Sequence, residues 1–486
     1  MGRILLAEDS RDSSSAAFAD GLAHTDARVQ LLARRGLARA RDPRFAARDS
    51  FPPLPAPPVY PEPAWRLRFR ALAGKGGDCA LMRDAMRDGA WQVRLRAMDL
   101  VTAACSADSA VVRELRAYAG AVPGPVARKA GGVSWHASAH ALVALARMAP
   151  GDRTQRLVRD HVRRGIAPQR VHAAIAARLL RDSVALAILS TDRDANVREA
   201  AATGLAAMAS HGSDRALIAG LRHEGYQAIR AAAGALKGSP SAAAVLGAAI
   251  DAARRLRRDS SETSRDARIA LLDRIGDFAT PADTAALVGL AHDFDCTVAG
   301  VATTIARRLG ATLPAGDAPF CTPFRPALPR DAVALALGAS VQLLVTMAPS
   351  AGGGSFTVQL RGDLAPVMAA RILDLVRNGY YNGLSWHRVE PDFVIQGGSP
   401  DASEYVGFPR FVRDELGAVP HPRGTVGMST RGHDTGDAQW FVNLRDNPRL
   451  TRDYSIFGQV TRGIEVVDGV LEGDTIASIT IEPGAP

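Results

Sequence analysis

From residue 1 to about residue 310, apolar positions recur at three- and four-residue intervals and strand-like alternation is scarce, so this stretch is predicted to be all α-helical. A unit repeats within it: a polar start, an apolar anchor often followed by Arg, then a helix of small residues. The clearest copy is DANVREAAATGLAAMA at 194–209. Related copies are DARVQLLARRGLARA from Asp26, AWQVRLRAMDLV from Ala90, QRVHAAIAARLL from Gln169 and YQAIRAAAGALKG from Tyr226, with weaker ones from Ser264 and Cys296. The anchors Val171, Val197, Ile229, Ile269 and Val298 lie 26, 32, 40 and 29 residues apart, a spacing suited to stacked helix pairs. One pair cannot bury its apolar face alone, and stacked neighbours with small side chains can.

The pattern changes after residue 330. Residues 341–347 and 355–360 read as strands joined by the turn-forming PSAGGG, residues 365–378 as a helix, and the remainder of the chain as short strands separated by Gly, Pro and Asp. The Pro-rich LPAGDAPFCTPFRPALPR, 313–330, reads as a semi-rigid linker, and FPPLPAPPVYPEP, 51–63, as a loop within the helical part, because consecutive prolines cannot donate helix hydrogen bonds. The expected division is therefore a helical solenoid over 1–312, a linker over 313–330 and a β-rich domain over 331–486.

Asp194, Val197 and Arg198 carry the D-x-x-V-R start by which the helical part resembles HEAT-repeat proteins. That resemblance implies a curved α-solenoid that recruits protein clients or partners.

The last third carries a more specific resemblance. GYYNGLSWHRVEPDFVIQGGSP from Gly379, RGTVGMSTRGHDTGDAQWFVNL from Arg423 and RLTRDYSIFGQVTRGIEVVDGV from Arg449 stand in the order of the three signature blocks of cyclophilin-type peptidyl-prolyl cis/trans isomerases. The resemblance implies a closed β-barrel with flanking helices that rotates X-Pro bonds in polypeptide substrates. The barrier is about 18–20 kcal/mol because amide resonance is lost on rotation. A donor to the proline nitrogen favours the pyramidal, single-bond state, and a guanidinium suits that task because it stays charged. By the resemblance, Arg388 is that donor and Gln396 orients it. Phe393, Val394, Phe441, Leu450 and Tyr454 line the proline pocket, Ser429 and Thr430 offer backbone contacts, and Gln439 forms the neighbouring wall. An acceleration of about 10⁵-fold would ask these contacts for roughly 7 kcal/mol. His387 reads as structural, since the reaction transfers no proton, and neither cofactor nor metal is expected.

The chain departs from the family in places. Val394 stands where many members have Met, Arg449 where many have a cyclosporin-contacting Trp, and Tyr454 where some have His; Trp386 and Trp440 replace the usual Phe. Turnover should survive these changes, whereas cyclosporin affinity is in doubt.

Charge divides with the pattern. From Val341 onward 12 Arg face 17 acidic residues, a net −5, which leaves +14 on the preceding part. That charge is almost all Arg and forms no dense run with interleaved aromatics, so it reads as a solvated face and nucleic acid is not an expected partner. Cys79, Cys105, Cys296 and Cys321 form no C-x-x-C pair, so neither a zinc site nor a disulfide framework is expected. His136 and His140, spaced i,i+4, read as packing or surface residues. No apolar stretch is long enough to span a membrane, and the opening MGRILLAEDSRD holds no signal-peptide core, so the sequence as written suggests a cytoplasmic protein. A start further upstream bearing an export signal is the alternative. The function expected is a prolyl isomerase that assists folding, with a non-catalytic proline-peptide-binding scaffold as the rival.

Overall fold

The computed structural model describes residues 1–42, 58–121, 134–208, 211–313, 321 and 327–483. Most of the expected linker (314–320 and 322–326), residues 51–57 of the Pro-rich loop and the last residue of the 194–209 copy lie outside them. The chain divides into two compact units, Met1–Pro61 together with Pro323–Pro486, and Glu62–Thr322.

The second unit is built of helix pairs. One layer holds Ala64–Ala71, Trp91–Leu100, Trp135–Met148, Ala167–Leu179, Ala195–Ala206, Tyr226–Ala235, Arg265–Phe278 and Cys296–Arg308, each packed on the next. The intervening helices pack outside the member that follows them, as Ser183–Leu189 does on Ala195–Ala206. Six of the seven sequence copies are helices of that one layer. Trp135–Met148 belongs to it too and went unread, because it lacks the Val/Ile–Arg anchor.

The Asp that starts three of the copies, Asp26, Asp194 and Asp295, has a physical role. Asp194 accepts from the backbone N–H groups of Asn196 and Val197, and Asp295 from those of Thr297 and Val298, so each caps its helix. Arginines beside the anchors then tie one pair to the next. Arg170 is bidentate to Asp192 at 2.7 Å, Arg198 donates to the carbonyls of Asp192, Arg193 and Glu224, and Arg268 donates to Asp293. His140 pairs with Asp99 at 2.6 Å, and His136 is buried against Trp135.

The cysteines correct the sequence reading. Cys79 is bonded to Cys105 and Cys296 to Cys321, with Cα separations of 5.4 and 5.0 Å. The partners are 26 and 25 residues apart. The first pair links the start of one helix to the turn beyond the next, a proximity set by helix pairing and invisible to a local motif.

In the other unit eight antiparallel strands run β1 Val341–Met347, β2 Ser355–Leu360, β3 Trp386–Glu390, β4 Val394–Gly397, β5 Thr425–Met428, β6 Trp440–Asn443, β7 Ile456–Arg462 and β8 Ile476–Pro483. Their order is β3-β4-β6-β5-β7-β2-β1-β8. The sheet curls until its outer strands meet beside the Ser385–Thr475 bridge, where Trp386 N–H donates to Asp474 O and Ile476 N–H to Leu384 O, each at 2.8 Å. The helix Pro366–Arg377 buries its apolar residues in the same core. The two strands and the helix expected between 341 and 378 lie within a residue of their predicted bounds.

The first residues depart from the expected division. Periodicity assigns helices α1 (Gly2–Asp9), α2 (Ala16–Leu22) and α3 (Ala27–Arg41) to the solenoid, yet they belong to the barrel unit. Ile4, Leu5, Phe18, Val29 and Leu32 share one core with Leu343, Val345, Phe356 and Val358 of the barrel. Farther on, the Tyr60 hydroxyl donates to Val460 O, and Arg423 donates to Pro61 O at 3.0 Å while lying over the Tyr60 ring. The helical array is thus an insertion between two parts of one unit.

Candidate functional site

Strand register assembles the site. Arg388 on β3 pairs with Gln396 on β4, Gln396 with Phe441 on β6, and Phe441 with Gly427 on β5. Residues directly opposite on neighbouring strands share a face, so the four form one row. The neighbouring row, Ile395, Val442 and Val426, points the other way into the barrel core. The pleat therefore sends the core residues inward and the row Arg388, Gln396 and Phe441 outward.

Beside this row Val394, Phe441 and Leu450 form a small buried cluster of their own, edged by the half-buried Phe393 and Tyr454. The Tyr454 ring stands edge-on to Phe441 at 5.6 Å, and Arg449 lies over the Phe393 ring at 4.3 Å. Gly427 gives Phe441 its place: a Cβ there would stand 2.5 Å from the ring's Cζ. The wall is polar. Gln396, 3 % exposed, donates to Gln439 Oε1 at 3.3 Å, and Gln439, 2 % exposed, donates to the carbonyls of Glu404 and Val406. Ser429 N–H donates to Gln439 O at 2.8 Å, and Ser429 and Thr430 are half-buried. All ten residues singled out in the sequence therefore lie on β3, β4, β6, the β3–β4 turn or the segments that follow β5 and β6.

Arg388 is held on several sides. Its Nη1 reaches Gln396 Oε1 at 3.4 Å and Glu404 Oε1 at 3.0 Å, while Nε and Nη2 donate to Glu390 Oε1. Partial burial works against its charge, but the carboxylates outweigh this and hold the guanidinium above its ordinary pKa.

A family model described as cyclophilin type peptidyl-prolyl cis-trans isomerase/CLD matches residues 344–482. A peptidyl-prolyl cis-trans isomerase of Helicobacter pylori strain J99 is 34% identical over 134 residues, 27% of this chain and 83% of the relative. Peptidyl-prolyl cis-trans isomerase B of Bacillus subtilis is 33% identical over 132 residues, 27% of this chain and 92% of the relative. The chain belongs to the cyclophilin-type peptidyl-prolyl cis-trans isomerases. A cyclophilin crystal structure from Cryptosporidium parvum aligns over 30% of this chain and 99% of its own at 22% identity, with a TM-score of 0.28.

The cyclophilin domain also depends on residues that the sequence reading passed over. His421 lies nearly parallel to Phe441, at 6.2 Å, and its Nε2 is 3.2 Å from Tyr454 O. Asn447 donates to Phe393 O at 3.2 Å and to Asn443 Oδ1 at 2.6 Å, and Asn443 donates to Thr425 Oγ1 at 2.8 Å. These groups fix the pocket from behind. The signal available was His421-Pro422, just before the second block. Burial pushes the pKa of His387 and of His421 down to about 4 each, so both rings are neutral at physiological pH. Glu404 was also missed, because nothing in 401–406 marks the residue that meets Arg388.

Proposed function

We propose that the cyclophilin domain isomerises X-Pro bonds with Arg388 as the donor to the proline nitrogen and Gln396 as its orienting partner. The proline ring packs against Phe393, Val394, Phe441, Leu450 and Tyr454. Backbone groups of Ser429 and Thr430 hold the flanking peptide, with Gln439 as the neighbouring wall. The row that carries Arg388, Gln396 and Phe441 beside an apolar cluster supports this reading above all else. The arrangement supplies what the reaction needs: an apolar grip on the ring, and a fixed cation that binds the twisted amide better than either planar isomer.

The stacked helix pairs, which we read as HEAT-like, supply the surface that recruits protein clients or partners and make the whole a folding helper. All four cysteines lie in that array and are paired, which favours an oxidising compartment and so an exported protein.

The test is turnover of a proline-containing peptide by the full-length chain and by Arg388→Ala. The expected result is a loss of at least about 100-fold in kcat/KM, some 3 kcal/mol of transition-state stabilisation, with the fold retained. Full activity in Arg388→Ala refutes the assignment of Arg388. On an unfolded protein client, the chain should also outperform a variant without residues 62–322 by more than it does on a short peptide.

A further inference from the structure

We propose that Glu404 selects clients with a cationic side chain next to the proline, a reading that rests on the assignment of Arg388 to the proline nitrogen. Two observations carry it. The first is that Glu404 is held in place by the site's own wall: its carbonyl accepts from Gln439 Nε2 at 3.1 Å and from Arg431 Nη1. Gln439 in turn accepts from Gln396, so the backbone of Glu404 is tied to the row that carries the chemistry.

The second is that its carboxylate, 45% exposed, is paired with Arg388, the residue assigned to the proline nitrogen. Arg388 Nη1 is 3.0 Å from Glu404 Oε1 and 3.4 Å from Gln396 Oε1. Glu390 holds the other edge of the guanidinium through Nε and Nη2. When the twisting amide takes donation from Arg388, the contact on the Nη1 side is the one that yields, because Glu390 grips two nitrogens and Glu404 one.

Glu404 is then left beside the bound peptide with its best partner engaged elsewhere. A Lys or Arg of the client satisfies it, and an Asp or Glu is repelled. Arg431 does not fill that role, because its guanidinium faces the buried Asp437 at 3.7 Å. The other cation of the pocket, Arg449, is stacked on Phe393.

The experiment compares kcat/KM of the full-length protein on peptides that carry Lys, Gln or Glu at each of the two positions before and the two after the proline. At about 20 mM ionic strength, one position should favour Lys over Glu by about tenfold, and salt of about 0.5 M should shrink that ratio, since the Debye length falls to a few Å. In Glu404→Gln the ratio should drop below about 3. Using the ratio within each enzyme cancels any effect of the substitution on Arg388 itself, and tryptophan fluorescence checks the fold. A Lys/Glu ratio near one in the wild type, or an unchanged ratio in Glu404→Gln, overturns the proposal while leaving isomerisation intact. A preference for Glu also overturns it and assigns selection to Arg449. Failure to turn over even the Gln peptides would sink the isomerase reading as well.

Discussion

Arg39 Nη1 donates to Glu8 Oε1 at 2.8 Å, and both side chains are buried in the unit that carries the isomerase site. The remaining donors of Arg39 go to carbonyls of the barrel part, Leu364 and Glu415 at 2.8 Å and Leu416 at 2.6 Å. Burial alone would raise the pKa of Glu8, but Arg35 and Arg39 hold it below its ordinary value. Removing Arg39 leaves a buried carboxylate and three carbonyls short of a partner, a loss of about 3–5 kcal/mol. Arg39→Met should therefore destabilise this unit strongly, and Arg39→Lys less, because it keeps a cation beside Glu8. Urea unfolding followed through Trp386 and Trp440, with the three tryptophans of the helical array replaced by Phe, reads the difference.

The same packing predicts that residues 331–486 do not make an independent enzyme. Deleting residues 1–41 from the full-length chain uncovers the core face that Leu5, Phe18 and Leu32 cover. Prolyl-isomerase activity should be lost, or the protein should aggregate, while the far-ultraviolet helical signal of the array persists. A truncated chain with wild-type turnover and stability would show the three helices to be dispensable.

Much of the barrel was legible because its strands alternate and its turns are punctuated by Gly and Pro, so that 341–347 and 355–360 could be bounded from pattern alone. The proposed site residues were singled out through their motif. What the sequence hid is partnership. The stretch from Asp26 has the small-residue period of the array helices, and periodicity reports that a face is buried without saying against what. Arg35 and Arg39, an i,i+4 pair on the buried face of α3, were the available sign that this helix meets a polar partner, Glu8. The disulfides and the Arg388–Glu404 pair were hidden for the same reason, since each joins residues brought together by folding.

Gly427→Ala tests the pocket through the residue that faces the Phe441 ring. Gly427 lies in β5 with ordinary strand geometry, so Ala is allowed by the backbone, but its Cβ would stand 2.5 Å from Phe441 Cζ and 3.0 Å from Cε1 and Cε2. The ring must move, and Val394 and Leu450 confine where it can go. The expected outcome is a fall of about tenfold or more in kcat/KM, with most of the change in KM because the grip on proline is lost. Unchanged kinetics would show that Phe441 does not shape the proline pocket.

Reduction should separate the two units. Every cysteine lies in the array, and each disulfide closes a loop of about 25 residues, which the chain-entropy model values at about 3 kcal/mol. Cys79→Ser/Cys105→Ser should lower the thermal midpoint of the array by several degrees and leave turnover of short peptides unchanged. Calorimetry beside the peptide assay tests this, and a parallel loss of activity would contradict it.

His421 makes one part of the acid response specific. Its ring is neutral in the fold with a pKa of about 4, against about 6.5 in an unfolded chain. A pKa depressed by folding means that this contribution is complete above about pH 6.5 and lost as pH falls toward 4, because the unfolded state takes up the proton first. Between pH 7 and pH 5 the loss is about 2 kcal/mol. Asp9 and Asp414 act in the opposite sense, since burial raises each to about 6 and their contribution grows as pH falls through that range. Total stability therefore mixes the two, and the informative quantity is the difference between wild type and His421→Gln. Gln can still donate toward Tyr454 O but does not titrate. The wild type should lose about 2 kcal/mol relative to the variant on going from pH 7 to pH 5, measured by urea unfolding at each pH; a pH-independent difference would mean that His421 titrates alike in the folded and unfolded chain, and a gain by the wild type that it is protonated in the fold.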